Sequence, residues 1–353
     1  MSEFYLKPKL YERVRKYIYE NNIEFRETFD NKFHHREGST PSGKICRFNL
    51  FCKNSNKNIA HYAFLPMKLI ISNKVFLGGQ SSNVWVDNNY QGKGLSSYLI
   101  SKSLSNLKDR GFYFHYGFPN EKMYKIWKNS INVNYIGIGD FLVKPNKLEN
   151  IIKKKNIYIP KLIIKMINFF LKSISKLFFL FRNKEQYSIE IIDRFTEDFN
   201  EFIKKNTTNS TKYFEKNHEE LNWRYALDKY KIFVAKNKRS EICGYLVSSL
   251  QKKENLKLGT LIDFHLKKNE EISLLKNLLF HFEKEFKECD LYCYLCLPFQ
   301  PQKKLLKKFM YYKLDTTNMK RSFWIFFQTL RDFDLKSENY DWNLTFYDST
   351  DSF

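Results

Sequence analysis

The first residues, Met1 to Pro8, contain no apolar run of signal-peptide length, so export is not expected and a cytoplasmic location is. Acidic residues are scarce: 38 Asp and Glu stand against 60 Lys and Arg, a formal net charge of +22. Between Glu149 and Glu185 there is none at all. Such a balance points to an anionic partner, whether nucleic acid, an acidic membrane surface or a phosphate-bearing substrate; a Lys- and Asn-rich composition without binding consequence is the other reading. Cysteines number six, which fits free thiols rather than a disulfide framework. Cys289, Cys293 and Cys296 have a spacing used by iron–sulfur ligands, yet such ligands sit on loops. Leu291 to Leu297 reads instead as a strand with cysteine as a small apolar residue, and no metal is expected.

What is present is length and aromatic mass. The 353 residues suffice for two domains with a full core each, and 34 Phe with 23 Tyr make those cores aromatic. The first half is organised around Val84-Trp85-Val86-Asp87-Asn88-Asn89-Tyr90-Gln91-Gly92-Lys93-Gly94-Leu95. Val84, Trp85 and Val86 favour a strand, Asn88 and Asn89 break it, and from Leu95 the spacing of Leu95, Leu99 and Leu104 predicts a helix. A strand-to-helix turn of this kind aims backbone N–H groups outward at the positive end of the helix dipole, where a diphosphate is stabilised. Gly92 and Gly94 let the anion come close and tolerate the backbone angles required. Asp87 reads as a turn residue.

Gln91-Gly92-Lys93-Gly94-Leu95 preceded by Val86 resembles the pyrophosphate loop of the GNAT acyltransferase superfamily, V-x-x-x-x-[RQ]-G-x-G, without the proline often found where Asn88 stands. The resemblance implies that Val84, Trp85, Val86, Gln91, Gly92, Lys93, Gly94, Leu95, Ser96 and Asn120 hold acetyl-CoA. Around the loop the elements read in GNAT order. A helix at Leu10–Tyr19 is followed by a polar loop, Arg36–Lys44, suited to a substrate. Strands at Cys46–Cys52, Ile59–Leu65, Val75–Leu77 and Ser82–Val86 precede the loop; a strand at Phe112–Gly117 and a short helix after Asn120 follow its helix.

From Tyr187 the same order restarts: a helix at Thr196–Lys205, strands at Ile232–Ala235, Ile242–Val247 and Gly259–Phe264, a helix at Glu270–Lys287, the Cys293 strand, and a helix at Gln302–Phe309. No glycine cradle follows the Leu261-Ile262-Asp263 strand. The expected fold is therefore α+β, two tandem GNAT-like domains of mixed, mostly antiparallel sheet flanked by helices: residues 1–148 with the acyl-CoA site, a basic amphipathic helical linker at 149–186, and a degenerate domain at 187–353. This order is similar to that of N-myristoyltransferases and Fem-type peptidyltransferases. Gly117-Phe118-Pro119-Asn120, Asn222-Trp223-Arg224-Tyr225 and Trp342-Asn343-Leu344-Thr345 resemble patterns of bacterial tandem GNAT proteins associated with surface-polysaccharide synthesis.

In the linker, Lys161, Lys165, Lys172 and Lys176 fall on a narrow arc of a helix beginning near Pro160, and the rest of the circumference is apolar. Residues 160–182 thus suit an anionic membrane interface with the lysines reaching headgroups; a helix packed between the domains is the alternative. Lysines within the span argue against a transmembrane helix.

Acyl transfer from a thioester to an amine needs a polarised carbonyl, a proton acceptor for the amine and a proton for the thiolate. The GNAT resemblance puts the first on a backbone amide within Asn83–Trp85. It puts the proton donor seven residues beyond Asn120, where Trp127 stands, so Tyr124 is the nearest substitute. The strand Phe76–Val86 lacks the acidic base many relatives carry. His115 is one candidate, with a packed strand histidine as the other reading. The N-myristoyltransferase resemblance offers Asp348, Asp351 or the terminal carboxylate, unless that tail is frayed. Arg224 is a candidate grip on a substrate phosphate, or a packing residue. These features imply an acyl-CoA-dependent N-acetyltransferase acting on a nucleotide- or lipid-linked amino sugar in surface-polysaccharide synthesis. A Fem-like aminoacyl-tRNA transferase and a non-catalytic membrane-associated binding protein are the alternatives; the intact cradle disfavours a nucleic-acid partner.

Overall fold

The computed structural model describes residues 6–28, 32–33, 36–71, 73–130, 134–154, 156–180, 186–207, 212–296, 301–314, 324–331 and 342–343. The first half runs α1 (Pro8–Glu20), β1 (Ile23–Thr28), β2 (Cys46–Cys52), β3 (Lys57–Ile71), β4 (Lys74–Val86), α2 (Leu95–Asp109), β5 (Phe114–Gly117), α3 (Glu121–Ser130), β6 (Asn134–Ile138) and β7 (Asp140–Pro145). Two helices follow, α4 (Glu149–Lys154) and α5 (Lys161–Leu180). The second half comprises β8 (Ser188–Ile192), α6 (Asp198–Asn206), β9 (Lys212–Phe214), α7 (His218–Tyr225), β10 (Tyr230–Lys236), β11 (Ile242–Lys253), β12 (Leu256–Leu266), α8 (Glu271–Glu285), β13 (Leu291–Cys296), α9 (Pro301–Lys307), β14 (Tyr312–Lys313), β15 (Trp324–Thr329) and β16 (Trp342–Asn343). The two runs expected at Val75–Leu77 and Ser82–Val86 are one strand, because the long partner β3 pairs with β4 along its length.

Among the described residues there are two large sheets, mostly antiparallel. The first has the order β1-β2-β3-β4-β5-β15-β6, with β9 added to the end of β3 and β16 to β9; the second has the order β8-β10-β11-β12-β13-β7-β14. The fold is the expected α+β pair, but the sheets exchange strands. β15, from the second half, lies between β5 and β6 of the first sheet, and β7, from the first half, lies between β13 and β14 of the second. The division at 148 and 187 follows the chain, while each sheet is built from both sides of it.

α2 covers one face of the first sheet. Leu95, Leu99 and Leu104 are buried against Phe48, Tyr62 and Phe64, as their spacing predicts. The other face of that sheet meets the second half in a core built mainly of aromatic rings: Phe114 stacks on Phe327 at 5.1 Å, and Tyr116 meets Phe214 at 4.5 Å. Each fully buried ring of this size contributes about 1.5–3 kcal/mol, so the seam is part of the folded core. Cys293 and Cys296 lie buried on β13, where burial pushes each thiol up to about 12.

Candidate active site

β4 carries an irregularity just before the glycine turn. Its register against β3 passes from His61 opposite Trp85 to Ala63 opposite Ser82, so two steps on β3 face three on β4. Asn83 stands at φ +53°, and an extra residue of this kind bends a strand and re-aims its backbone. The bulge falls within Asn83–Trp85, the stretch where a carbonyl-polarising amide is expected. β5 pairs in parallel with β4 only over Gly79–Ser81 against His115–Gly117. Ser81 against Gly117 is the last pair, just before the bulge, and β5 ends there.

The turn that follows is braced by side chains. Asp87 accepts from the Asn89 N–H at 3.0 Å and pairs with Lys57 at 2.7 Å, which fits its reading as a turn residue. Lys57 and that N–H hold its carboxyl below the usual range. Gln91 donates from Nε2 to the Val86 carbonyl at 3.1 Å and to Asn88 Oδ1 at 2.9 Å, tying the turn back to the strand end. Lys122 on α3 reaches Gln91 Oε1 at 3.4 Å.

The two glycines differ in role. Gly92 has φ +78° and nothing within 4 Å of where a Cβ would stand, so its surface is open to an approaching anion. Gly94 has φ +83°, and a Cβ there would lie 2.7 Å from Val14 Cγ2 and 3.3 Å from Leu10 Cδ1 on α1. Gly94 therefore serves close packing of α1 on α2, and a bulky replacement would disturb the fold as well as the loop. No side chain caps α2, whose first residues are Leu95 and Ser96. Lys93 is exposed, its ammonium 5.8 Å from the Tyr17 ring centroid. Val84, Trp85 and Val86 run from the bulge to the turn, and Trp85 is 42% exposed and stacked on His61. Asn120 accepts the Met123 N–H at 2.9 Å and so caps α3, on which Tyr124 is half-buried.

Other expected residues are placed differently. His115 is fully buried: Nε2 donates to Gln328 Oε1 at 2.7 Å, and Nδ1 accepts from Ser81 Oγ at 3.2 Å. Burial depresses its imidazole to about 4, so the ring stays neutral and takes no proton near pH 7. The structure places His115 as a packed strand histidine. Arg224 is 2% exposed on α7, its Nη2 2.9 Å from Met67 Sδ. It is a buried seam residue and not a surface grip on phosphate. Asp348 and Asp351 lie outside the described residues.

A carboxyl that sequence reasoning missed stands at the same seam. Glu220 on α7 is 1% exposed and accepts from Ser42 Oγ at 2.8 Å, which ties the polar loop of the first half to the second. Its Oε2 is buried without a hydrogen-bond partner. Burial, partly offset by Arg224 and Ser42, pushes the carboxyl up to about 6. In the sequence Glu220 looks like an ordinary first-turn helix residue; only the docking of Ser42 distinguishes it.

α8 opens at Glu270-Glu271, and Glu270 is held there by Lys267 at 2.5 Å and by the Tyr187 hydroxyl. Among the described residues no group of three or more His, Cys, Asp or Glu is arranged to hold a metal.

Residues 25–128 match the family described as "Acetyltransferase (GNAT) domain". The chain carries a GNAT domain. Solved structures extend the likeness across both halves. A GCN5-related N-acetyltransferase from Anabaena variabilis aligns with 81% of this chain at 10% identity and a TM-score of 0.56. This chain spans 63% of that protein's length. N-myristoyltransferase of Saccharomyces cerevisiae with bound myristoyl-CoA aligns with 93% of this chain and 82% of its own, at 12% identity and a TM-score of 0.54. A probable N-acyltransferase from Enterococcus faecalis aligns with 81% of this chain and 62% of its own, at 8% identity and a TM-score of 0.54. At these identities the likeness is one of fold. No curated protein matches the sequence. The Gly92–Gly94 turn lies within the matched residues.

Proposed function

We propose that the protein transfers an acyl group from acyl-CoA to an amine. The observation that carries the reading is the open, braced Gly92 turn at the uncapped start of α2, with the pairing of β4 and β5 ending at Ser81 and Gly117 before it. The diphosphate meets the first N–H groups of α2, where the helix dipole favours negative charge. The pantetheine arm runs past the end of the β4–β5 pairing, and a backbone N–H of the Asn83–Trp85 bulge polarises the thioester carbonyl. The amine's lone pair forms the C–N bond, the C–S bond breaks, and the thiolate takes a proton, for which Tyr124 is the donor we assign.

The amine's own proton goes to a carboxyl at the seam, and Glu220 is our candidate. A group with a value near 6 and one unpartnered oxygen accepts protons close to neutrality. Glu283, also raised by burial, is already engaged by Lys144 and Ser175. The donor we favour is acetyl-CoA, and the acceptor a nucleotide- or lipid-linked amino sugar of surface-polysaccharide synthesis. The net charge of +22 supports an acceptor that bears phosphate. Incubation with acetyl-CoA and nucleotide-linked amino sugars, followed by free-thiol release, tests this. Thiol release that depends on the amino sugar is expected. Release equal with and without every amino sugar, from a protein that binds acetyl-CoA, would contradict the acceptor class.

A further inference from the structure

α5 presents three lengthwise sectors at about 100° per residue. The sector of Ile164, Asn168, Leu171 and Ser175 packs inward and is held by specific bonds. Ser175 donates to Glu283 Oε2 at 2.9 Å, Lys144 reaches Glu283 Oε1 at 2.6 Å, and Asn168 Oδ1 accepts the Leu148 N–H at 3.0 Å. Near the C-terminal end Phe178 meets Phe309 and Phe179 meets Phe280 edge-on. The packing uses only part of the circumference.

The neighbouring sector is the lysine arc. Lys161, Lys165, Lys172 and Lys176 are all exposed, and α5 contains no acidic residue. Beyond the lysines lie Leu162 (70% exposed), Met166 (64%), Phe169 (74%), Phe170 (63%), Leu177 (58%) and Leu180 (65%). The lysines therefore flank the bare apolar sector instead of lying opposite it. Ile157 and Tyr158, just before the helix, are exposed as well. Among the described residues no helix is long and apolar enough to cross a membrane.

We infer that α5 docks the protein on an anionic lipid surface, with the bare sector inserted among the acyl chains and the lysine row reaching the phosphate headgroups. Charge complementarity selects this occupant. A lysine row with no carboxylate partner on its helix, beside large apolar side chains, matches a plane of anionic headgroups over hydrocarbon. The buried bonds of Ser175 and Asn168 fix the direction of the bare sector, so docking needs no rearrangement of the fold. The inference stands apart from acyl transfer and survives its failure.

Co-sedimentation of the full chain with vesicles tests it, comparing phosphatidylcholine alone with equal parts phosphatidylcholine and phosphatidylglycerol. Binding to the mixed vesicles and weak binding to the neutral ones is expected. Exchanging both Phe169→Gln and Phe170→Gln should weaken partitioning at least tenfold, and each of Lys165→Gln and Lys172→Gln about fivefold, with melting unchanged because all four are exposed. Raised salt should lower the lysine contribution, since screening shortens the attraction. Equal binding to both vesicles, or binding to neither, overturns the inference. So does concentration-dependent self-association abolished by the Phe exchange in the absence of lipid, which would assign the sector to a second copy of the chain.

Discussion

The imidazole of His115 donates from Nε2 to Oε1 of Gln328 at 2.7 Å, across 213 residues of sequence. With that nitrogen carrying the proton, Nδ1 accepts from Ser81, and Ser81 accepts from the Tyr62 hydroxyl at 2.7 Å. The relay crosses β3, β4, β5 and the exchanged strand β15, and so fastens the second half into the first sheet.

That relay makes a pH prediction. The folded value of His115 is about 4, below the ordinary 6.5 of the unfolded chain. A depressed folded value gives stability that is present above pH 6.5 and lost as pH falls through 4. The loss attributable to this ring is roughly 3 kcal/mol at the acid end. Chemical denaturation from pH 7 down to pH 4 should show a shallower fall for His115→Gln than for the wild type. Parallel curves would mean that the ring is not buried as described. His265, also depressed to about 4, is present in both proteins and cancels in the comparison.

Strand exchange predicts that neither half folds alone. A fragment of residues 1–148 lacks β15, leaving β5 and β6 without the strand between them, and a fragment of residues 187–353 lacks β7 between β13 and β14. Unpaired interior edges of this kind expose backbone and aromatic surface. Each fragment expressed alone should show no cooperative melting, and co-expression should restore it. Two fragments melting cooperatively on their own would contradict the exchange.

The glycines should separate fold from loop. Gly94→Ala adds a left-handed backbone cost of about 1–2 kcal/mol to a clash with Val14, so its melting temperature should drop by several degrees. Gly92→Asp has open space around it and a residue type that tolerates positive φ, so its melting should stay close to the wild type. Differential scanning calorimetry on the two decides; equal losses would remove the distinction.

Much of this was legible in the sequence because it is local. The strand–turn–helix around Gly92, the α2 stripe of Leu95, Leu99 and Leu104, and the repeated element order depend on neighbours within a dozen residues. The exchange of β7 and β15 is not local: nothing in Asp140–Pro145 distinguishes its own sheet from the other. His115 illustrates the limit at the site, since one strand histidine reads alike whether it faces a cleft or Gln328. Glu220 gains its raised value from burial, which Ser42, 178 residues away, only partly offsets, and no spacing on α7 reveals either.

Glu220 should therefore betray itself by titration. Its folded value of about 6 lies above the ordinary 4.5, so its contribution to stability is fully present below pH 4.5 and is lost as pH rises through 6. Glu220→Gln should be more stable than the wild type at pH 7.5, by roughly 2 kcal/mol, while turnover falls at least tenfold with little change in KM for acyl-CoA. If the wild-type rate rises with an apparent value near 6, that limb should vanish in the variant. Turnover undiminished at every pH would remove Glu220 from the reaction.

The central claim is that the Gly92 turn holds the diphosphate of acyl-CoA, and isothermal titration of acetyl-CoA into the wild type and Gly92→Asp tests it most directly. The wild type should bind saturably, one molecule per chain, and the variant at least tenfold more weakly because a carboxylate then stands where the diphosphate approaches. No saturable heat with the wild type, or the same affinity in both proteins, would contradict it.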